Sequence, residues 1–90
     1  MENVLGKKLE ELRIKNKMTL GDIGKLSGIN FSQIRKLELG KYKVDDGSID
    51  STDETGYKIY TTKSLENILE KLAFHYKYPS VDLNKLIHQQ

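Results

Sequence analysis

The amino-acid sequence predicts an all-α fold of five helices with a β-hairpin inserted between the third and fourth. Three observations carry that expectation. Apolar residues recur at helical spacing over most of the chain. Two short helical patterns, each opening on its own cap, stand back to back over residues 19–38. Over residues 41–63 the pattern changes to alternating aromatic and lysine residues around an acidic stretch.

Ninety residues make one small domain, 1–90, with a limited core. With no cysteine, neither a disulfide framework nor a zinc–thiolate site can hold the fold. The opening MENVLGKKLEEL has no long apolar run, so neither a signal peptide nor a membrane span is expected, and the chain reads as cytoplasmic. The net charge of +2 hides an uneven distribution. Residues 1–44 carry ten Lys and Arg against five acids, residues 45–56 carry five acids and no base, and residues 57–90 carry five Lys against three acids. A basic half suits contact with phosphate, although lysines also simply solvate helix surfaces.

Helix 1 is read over residues 4–16, where Leu5, Leu9 and Leu12 form one apolar stripe. Gly6 is a poor helix former within it, and Met18 can tuck into the core. Thr19 caps helix 2 with Asp22 as its capping-box partner, and Leu20, Ile23 and Leu26 supply the buried stripe. Gly28 falls where a helix ends in a left-handed conformation, and Ile29 plugs the angle between two helices. Asn30 caps helix 3, Gln33 is spaced to bond back to it, Ile34 and Leu37 face inward, and Gly40 ends the helix.

Lys41-Tyr42-Lys43-Val44 and Tyr57-Lys58-Ile59-Tyr60 are rich in strand formers and alternate in polarity. They read as the arms of a β-hairpin with a long, mobile acidic tip, DDGSIDSTDETG; an irregular loop is the alternative. Helix 4 is expected from Ser64 to about His75, its stripe built from Leu65, Ile68, Leu69 and Leu72 and continuing through Phe74. Tyr78-Pro79 breaks it, and Ser80 caps a last helix containing Val81, Leu83, Leu86 and Ile87. The closing helices thus cover 64–87, and His88-Gln89-Gln90 is expected to fray.

The stretch from Leu5 to Gly40 resembles the phage repressor and Cro-type (XRE-like) helix-turn-helix domains. The residues that carry the likeness are Arg13, Thr19, Gly28-Ile29-Asn30, Ile34 and Glu38-Leu39-Gly40. Residues 64–87 resemble the closing helices of that family, so the likeness leaves out the 41–63 insertion. It implies a five-helix lambda-repressor-like domain that binds double-stranded DNA as a sequence-specific transcription regulator, with repression as the expected sign. A single module this small reads few base pairs, so a homodimer on a two-fold operator is expected, and a DNA-binding protein of this kind would associate with the nucleoid.

Site residues carry over by position. Arg13 and Glu38 match an ion pair that ties helix 1 to the end of helix 3; a planar guanidinium can grip a carboxylate with two bonds. Phe31, Ser32 and Lys36 fall where the family has base-contacting side chains, flanked by Gln33 and Arg35, with Asn30 at the head of the same helix. Lys36 could donate to guanine, and Ser32 to several base edges. Phe31 could touch a thymine methyl or pack on a neighbouring element. Thr19, Lys41 and Lys43 are candidates for phosphate contact, with Lys17 at longer range.

Several positions depart from the family pattern. Leu20 stands where a phosphate-anchoring Gln is common, and with Leu39 and Phe31 it sets three large apolar residues near the expected DNA face. They support a rival reading: an antirepressor-like protein-interaction module, with a regulatory protein as partner. The insertion could act as a wing bearing Lys41, Lys43, Lys58 and Lys63, as a dimer contact, as a shield over the groove-facing side, or as a solvated loop. Asp46, Ser48 and Asp50 begin like a calcium loop, but Ser51 and Tyr57 stand where Gly and Glu are needed, so no metal is expected. His75 and His88 lack further ligands at metal spacing, and no catalytic triad or phosphate loop occurs; neither enzyme activity nor a cofactor is expected.

Overall fold

The computed structural model describes residues 3–47, 51–52, 54 and 56–88. Expectations for the acidic tip at residues 48–50, 53 and 55, and for fraying at Gln89 and Gln90, lie outside the described residues. The described chain is mainly helical: α1 Val4–Lys15, α2 Leu20–Ser27, α3 Phe31–Glu38, α4 Thr62–Tyr76 and α5 Ser80–Asn84. Three short strands, β1 Tyr42–Val44, β2 Ser51–Thr52 and β3 Lys58–Tyr60, lie between α3 and α4.

The helix ends follow from local chemistry. Thr19 and Asp22 form a reciprocal capping box at the start of α2. Gly28 closes that helix at φ 76°, a left-handed position that costs glycine nothing. The Asn30 side chain accepts from the Ser32 amide at the head of α3. At the other end Gly40 (φ 75°) lets the Lys41 amide reach back to the Lys36 carbonyl, which turns the chain sharply into β1.

Five local expectations need correction. α4 begins at Thr62, because Thr61 and Ser64 form their own capping box and Ser64 sits inside the helix. Pro79, not Ser80, precedes α5, and no side chain caps it. The Gln33 side chain does not bond back to the Asn30 amide; its Nε2 is drawn to the Tyr60 hydroxyl, and Gln33 meets Asn30 through its backbone amide, which donates to the Asn30 carbonyl. Leu26 is 55% exposed. At about 100° per residue it and Leu20 flank Ile23 on either side, and only the Leu20 side packs against the core. Phe74 is 78% exposed because it lies two residues from Leu72, on the far side of α4.

The larger correction concerns the insertion. β1 and β3 run parallel, with Tyr42 opposite Lys58 and Val44 opposite Tyr60, so they are not two arms of one hairpin. β3 is the central strand, and β2 flanks it antiparallel on the other side, Ser51 opposite Ile59. Residues 45–57 are long enough to carry the chain across β3 and back, which parallel pairing requires. Tyr42 and Tyr60 point inward, their rings edge to face at 6.4 Å, and join the main core.

That core is continuous. Leu5, Leu9 and Leu12 from α1 meet Ile23, Ile29, Ile34 and Leu37 of the helix-turn-helix half, and Leu65, Leu69, Leu72 and Tyr76 of α4 close it with Leu83 and Ile87. Burial pushes the Tyr42 hydroxyl up to about 12. The Tyr76 hydroxyl is raised as well, first by burial and then by the nearby Glu38 carboxylate.

Two exposed carboxylates hold junctions. Asp46 accepts from the Thr62 amide at 2.6 Å and from its hydroxyl at 2.9 Å, tying the turn after β1 to the start of α4. Hydrogen bonds from Thr62 hold Asp46 below the usual carboxylate range, and those from Thr19 do the same for Asp22. A carboxyl with a depressed folded pKa stabilises the fold above its unfolded value and loses that contribution as pH falls through the folded one. Acidification below about pH 3.9, the ordinary Asp value, should therefore release both junctions. The Thr19 and Thr62 amide shifts, followed by NMR, should titrate with midpoints below that value. Midpoints at or above it would show that neither carboxylate holds its junction.

Candidate nucleic-acid interface

α3 is presented by contacts on its inner face and at its C-terminal end. Ile34 and Leu37 are fully buried, and α3 packs against α1 and α2. The Arg13 guanidinium grips Glu38 with two bonds, Nε to Oε2 at 2.8 Å and Nη2 to Oε1 at 3.1 Å. Its third arm, Nη1, donates to the Met18 carbonyl at 3.0 Å, so one side chain ties α1, the α1–α2 turn and α3 together. The Glu38 side chain is 4% exposed and that of Arg13 15%. The hydrogen bond to Glu38 raises the Arg13 pKa against the opposing effect of burial.

A further anchor was not foreseen from the sequence. Asn3 accepts from the Gly6 amide and donates from Nδ2 to the Glu38 carbonyl at 2.7 Å. It caps α1 and holds the last turn of α3 with one amide group. An Asn directly before a helical pattern was the available cap signal; the reach to Glu38, 35 positions away, has no local signature.

The outer surface of α3 divides in two. At about 100° per residue, Phe31, Arg35 and Ser32 fill an arc of about 100°, with Lys36 and then Gln33 beyond Ser32. Phe31, Ser32 and Arg35 are exposed. Phe31 is 56% exposed beside a shallow depression lined by Gly21, Gly24, Lys25 and Gly28. At Gly24 the approach is close: a Cβ would stand 3.1 Å from the Ile29 carbonyl and 3.3 Å from the Phe31 Cβ, so a larger residue would press on its neighbours by a few tenths of an ångström. Ser32 donates its hydroxyl to Asn30 at 2.6 Å.

The other part of the surface is tied to the insertion. Gln33 Nε2 donates to the Tyr60 hydroxyl at 2.8 Å, and Lys36 Nζ donates to the Gly56 carbonyl at 3.1 Å. Both residues are half-buried. A groove between α3 and β3 is lined by Asn30, Ser32, Gln33, Lys36 and Lys58. Asn30, Ser32, Gln33 and Lys36 therefore share one site; Phe31 and Arg35 lie on the open arc, and exposed Ser32 stands where arc and groove meet. Thr19 stands apart at the head of α2, where its hydroxyl accepts from Asp22. Lys41 is exposed in the turn after α3, and exposed Lys43 on β1 carries its ammonium 5.6 Å from the Tyr57 ring centre. Tyr60 and Gly56 are the partners that sequence reasoning missed.

Among the described residues, no group of three or more His, Cys, Asp or Glu is placed to hold a metal ion. No helix among them is long and apolar enough to cross a membrane. No protein-family model, curated protein or solved structure matches the chain.

Proposed function

We propose that this protein is a sequence-specific DNA-binding transcription regulator of the repressor and Cro-type helix-turn-helix kind, acting as a repressor and reading the major groove with α3. The observation that carries the reading is the open arc of Phe31, Arg35 and Ser32 on a helix whose inner face is buried and whose far end is pinned by Arg13 and Glu38. A groove of about 12 Å admits one helix, not a helix with a sheet beside it. The flank of α3 joined to β3 therefore meets the sugar–phosphate backbone, and the open arc meets the bases. Base reading falls to Arg35, Ser32 and Phe31, with Gln33 and Lys36 serving to hold the insertion.

Arg35 suits guanine, whose O6 and N7 accept its fork, and Phe31 suits a thymine methyl. Thr19, Lys41 and Lys43 are the candidates for sequence-independent phosphate contact. A module this small reads few base pairs, so two copies on a two-fold operator supply the specificity. Selection from random duplexes should yield a preferred site. Arg35→Ala should then relax preference at one base position and cost ~1–3 kcal/mol on the selected duplex. Unchanged base preference in Arg35→Ala would remove Arg35 from the reading surface.

A second reading draws on Leu26, Phe31 and Leu39, each more than half exposed. Apolar side chains in those numbers also suit a protein-interaction module that keeps the helix-turn-helix shell without reading DNA. Titration with random duplex DNA at low salt separates the two: a DNA reader binds with strong salt dependence, and a protein-binding module does not.

A further inference from the structure

We propose that the groove between α3 and β3 is a phosphate site that seats one phosphodiester of the bound DNA strand, with Lys58 and Lys36 as its cations; this rests on the DNA-binding reading above. Two lysines, two amides and one hydroxyl line the groove, and among the described residues no carboxylate does. Lys58 shares a strand face with Tyr60, two residues on, and its ammonium stands 5.8 Å from that ring centre. The Tyr60 hydroxyl accepts from Gln33 of α3, so this is the face of β3 that meets the helix. From the other wall Lys36 holds its ammonium against the Gly56 carbonyl.

The neutral groups point the same way. Asn30 Oδ1 already accepts from the Ser32 amide at 2.8 Å and from its hydroxyl at 2.6 Å, so what the Asn30 side chain has left to offer an anion is its Nδ2 donors. Gln33 Nε2 gives one hydrogen to Tyr60 and keeps a second. The groove thus offers two ammonium groups and amide N–H donors. Like charges brought to one groove repel until an anion lies between them. A phosphodiester oxygen meets that requirement, and its position beside the open arc of α3 would fix the register of the helix on the duplex.

The test uses the full chain with its selected duplex and an unrelated duplex. Lys58→Ala should weaken both equally, by about tenfold near 0.1 M salt, lower the slope of log K against log salt by about 1, and leave base preference unchanged. Lys58→Arg should keep the wild-type slope. Replacing backbone phosphates one at a time by neutral methylphosphonate should reveal a position whose neutralisation weakens the wild type but not Lys58→Ala. A wild-type slope in Lys58→Ala, or a loss confined to the selected duplex, overturns the phosphate site while the DNA-binding reading stands. A wild type that binds neither duplex at low salt overturns both.

Discussion

Glu38→Ala should lower the free energy of unfolding by about 2–3 kcal/mol, because it strands the Arg13 guanidinium, partly buried, without its carboxylate. Arg13 loses two of its three hydrogen bonds, keeps the one to the Met18 carbonyl, and has no carboxylate left to offset its desolvation. A small domain has about 5–15 kcal/mol in total, so the variant would lose a large part of its margin. Urea unfolding should move to a lower midpoint with an unchanged slope. The paired change Arg13→Met with Glu38→Leu should recover most of the loss, since well-packed apolar residues can replace a buried ion pair at little cost. A loss below about 1 kcal/mol in Glu38→Ala would mean that the pair behaves as a solvated surface contact.

Gly6→Ala tests helix presentation from the opposite side of the same junction, and its sign is the informative part. Helix propensity alone favours alanine by about 1 kcal/mol. In the folded chain, however, a Cβ on Gly6 would stand 2.5 Å from both the Leu37 and Glu38 carbonyl oxygens, and would also meet the Asn3 side chain. Backbone carbonyls in the last turn of α3 cannot swing aside as a flexible side chain can, so α1 and α3 must part. Overpacking of this kind costs typically 1–3 kcal/mol, and here the contact is with backbone, so a net destabilisation of about 2 kcal/mol is expected. Thermal unfolding of the variant against wild type reads it directly. A stabilised variant would mean that α1 and α3 are not in contact at this point. Because the shift tilts the end of α3, DNA affinity should fall with stability.

Much of the helical half was legible in the sequence, and for one reason. The Thr19–Asp22 box, the Asn30 cap, and the glycines at 28 and 40 act within a few residues of themselves. Their physics needs no knowledge of the rest of the chain. The leucine spacing of α1 likewise states which side is apolar. The pairing of Arg13 with Glu38 came from resemblance to a family pattern; nothing in the spacing of 25 positions would suggest it. Leu26 and Phe74 were misread because an apolar residue near a stripe need not lie on its buried centre, and the width of the covered stripe depends on which neighbours pack there.

The insertion marks the boundary. Its strand-forming residues were evident from alternation and composition, and β1 and β3 lie within the segments so identified. Their direction was not evident, because the entropy of closing a loop changes slowly with its length and hardly distinguishes a hairpin return from a crossover. Tertiary packing made that choice, setting Tyr42 and Tyr60 into the core with β3 between its neighbours. The same packing brought Tyr60 and Gly56 onto Gln33 and Lys36, which divided the polar side of α3 into a covered flank and an open arc. Local rules thus determined where the rods begin, end and turn. Contacts between residues far apart in the chain decided which side chains on those rods stay free to meet a partner, because exposure depends on what lies opposite.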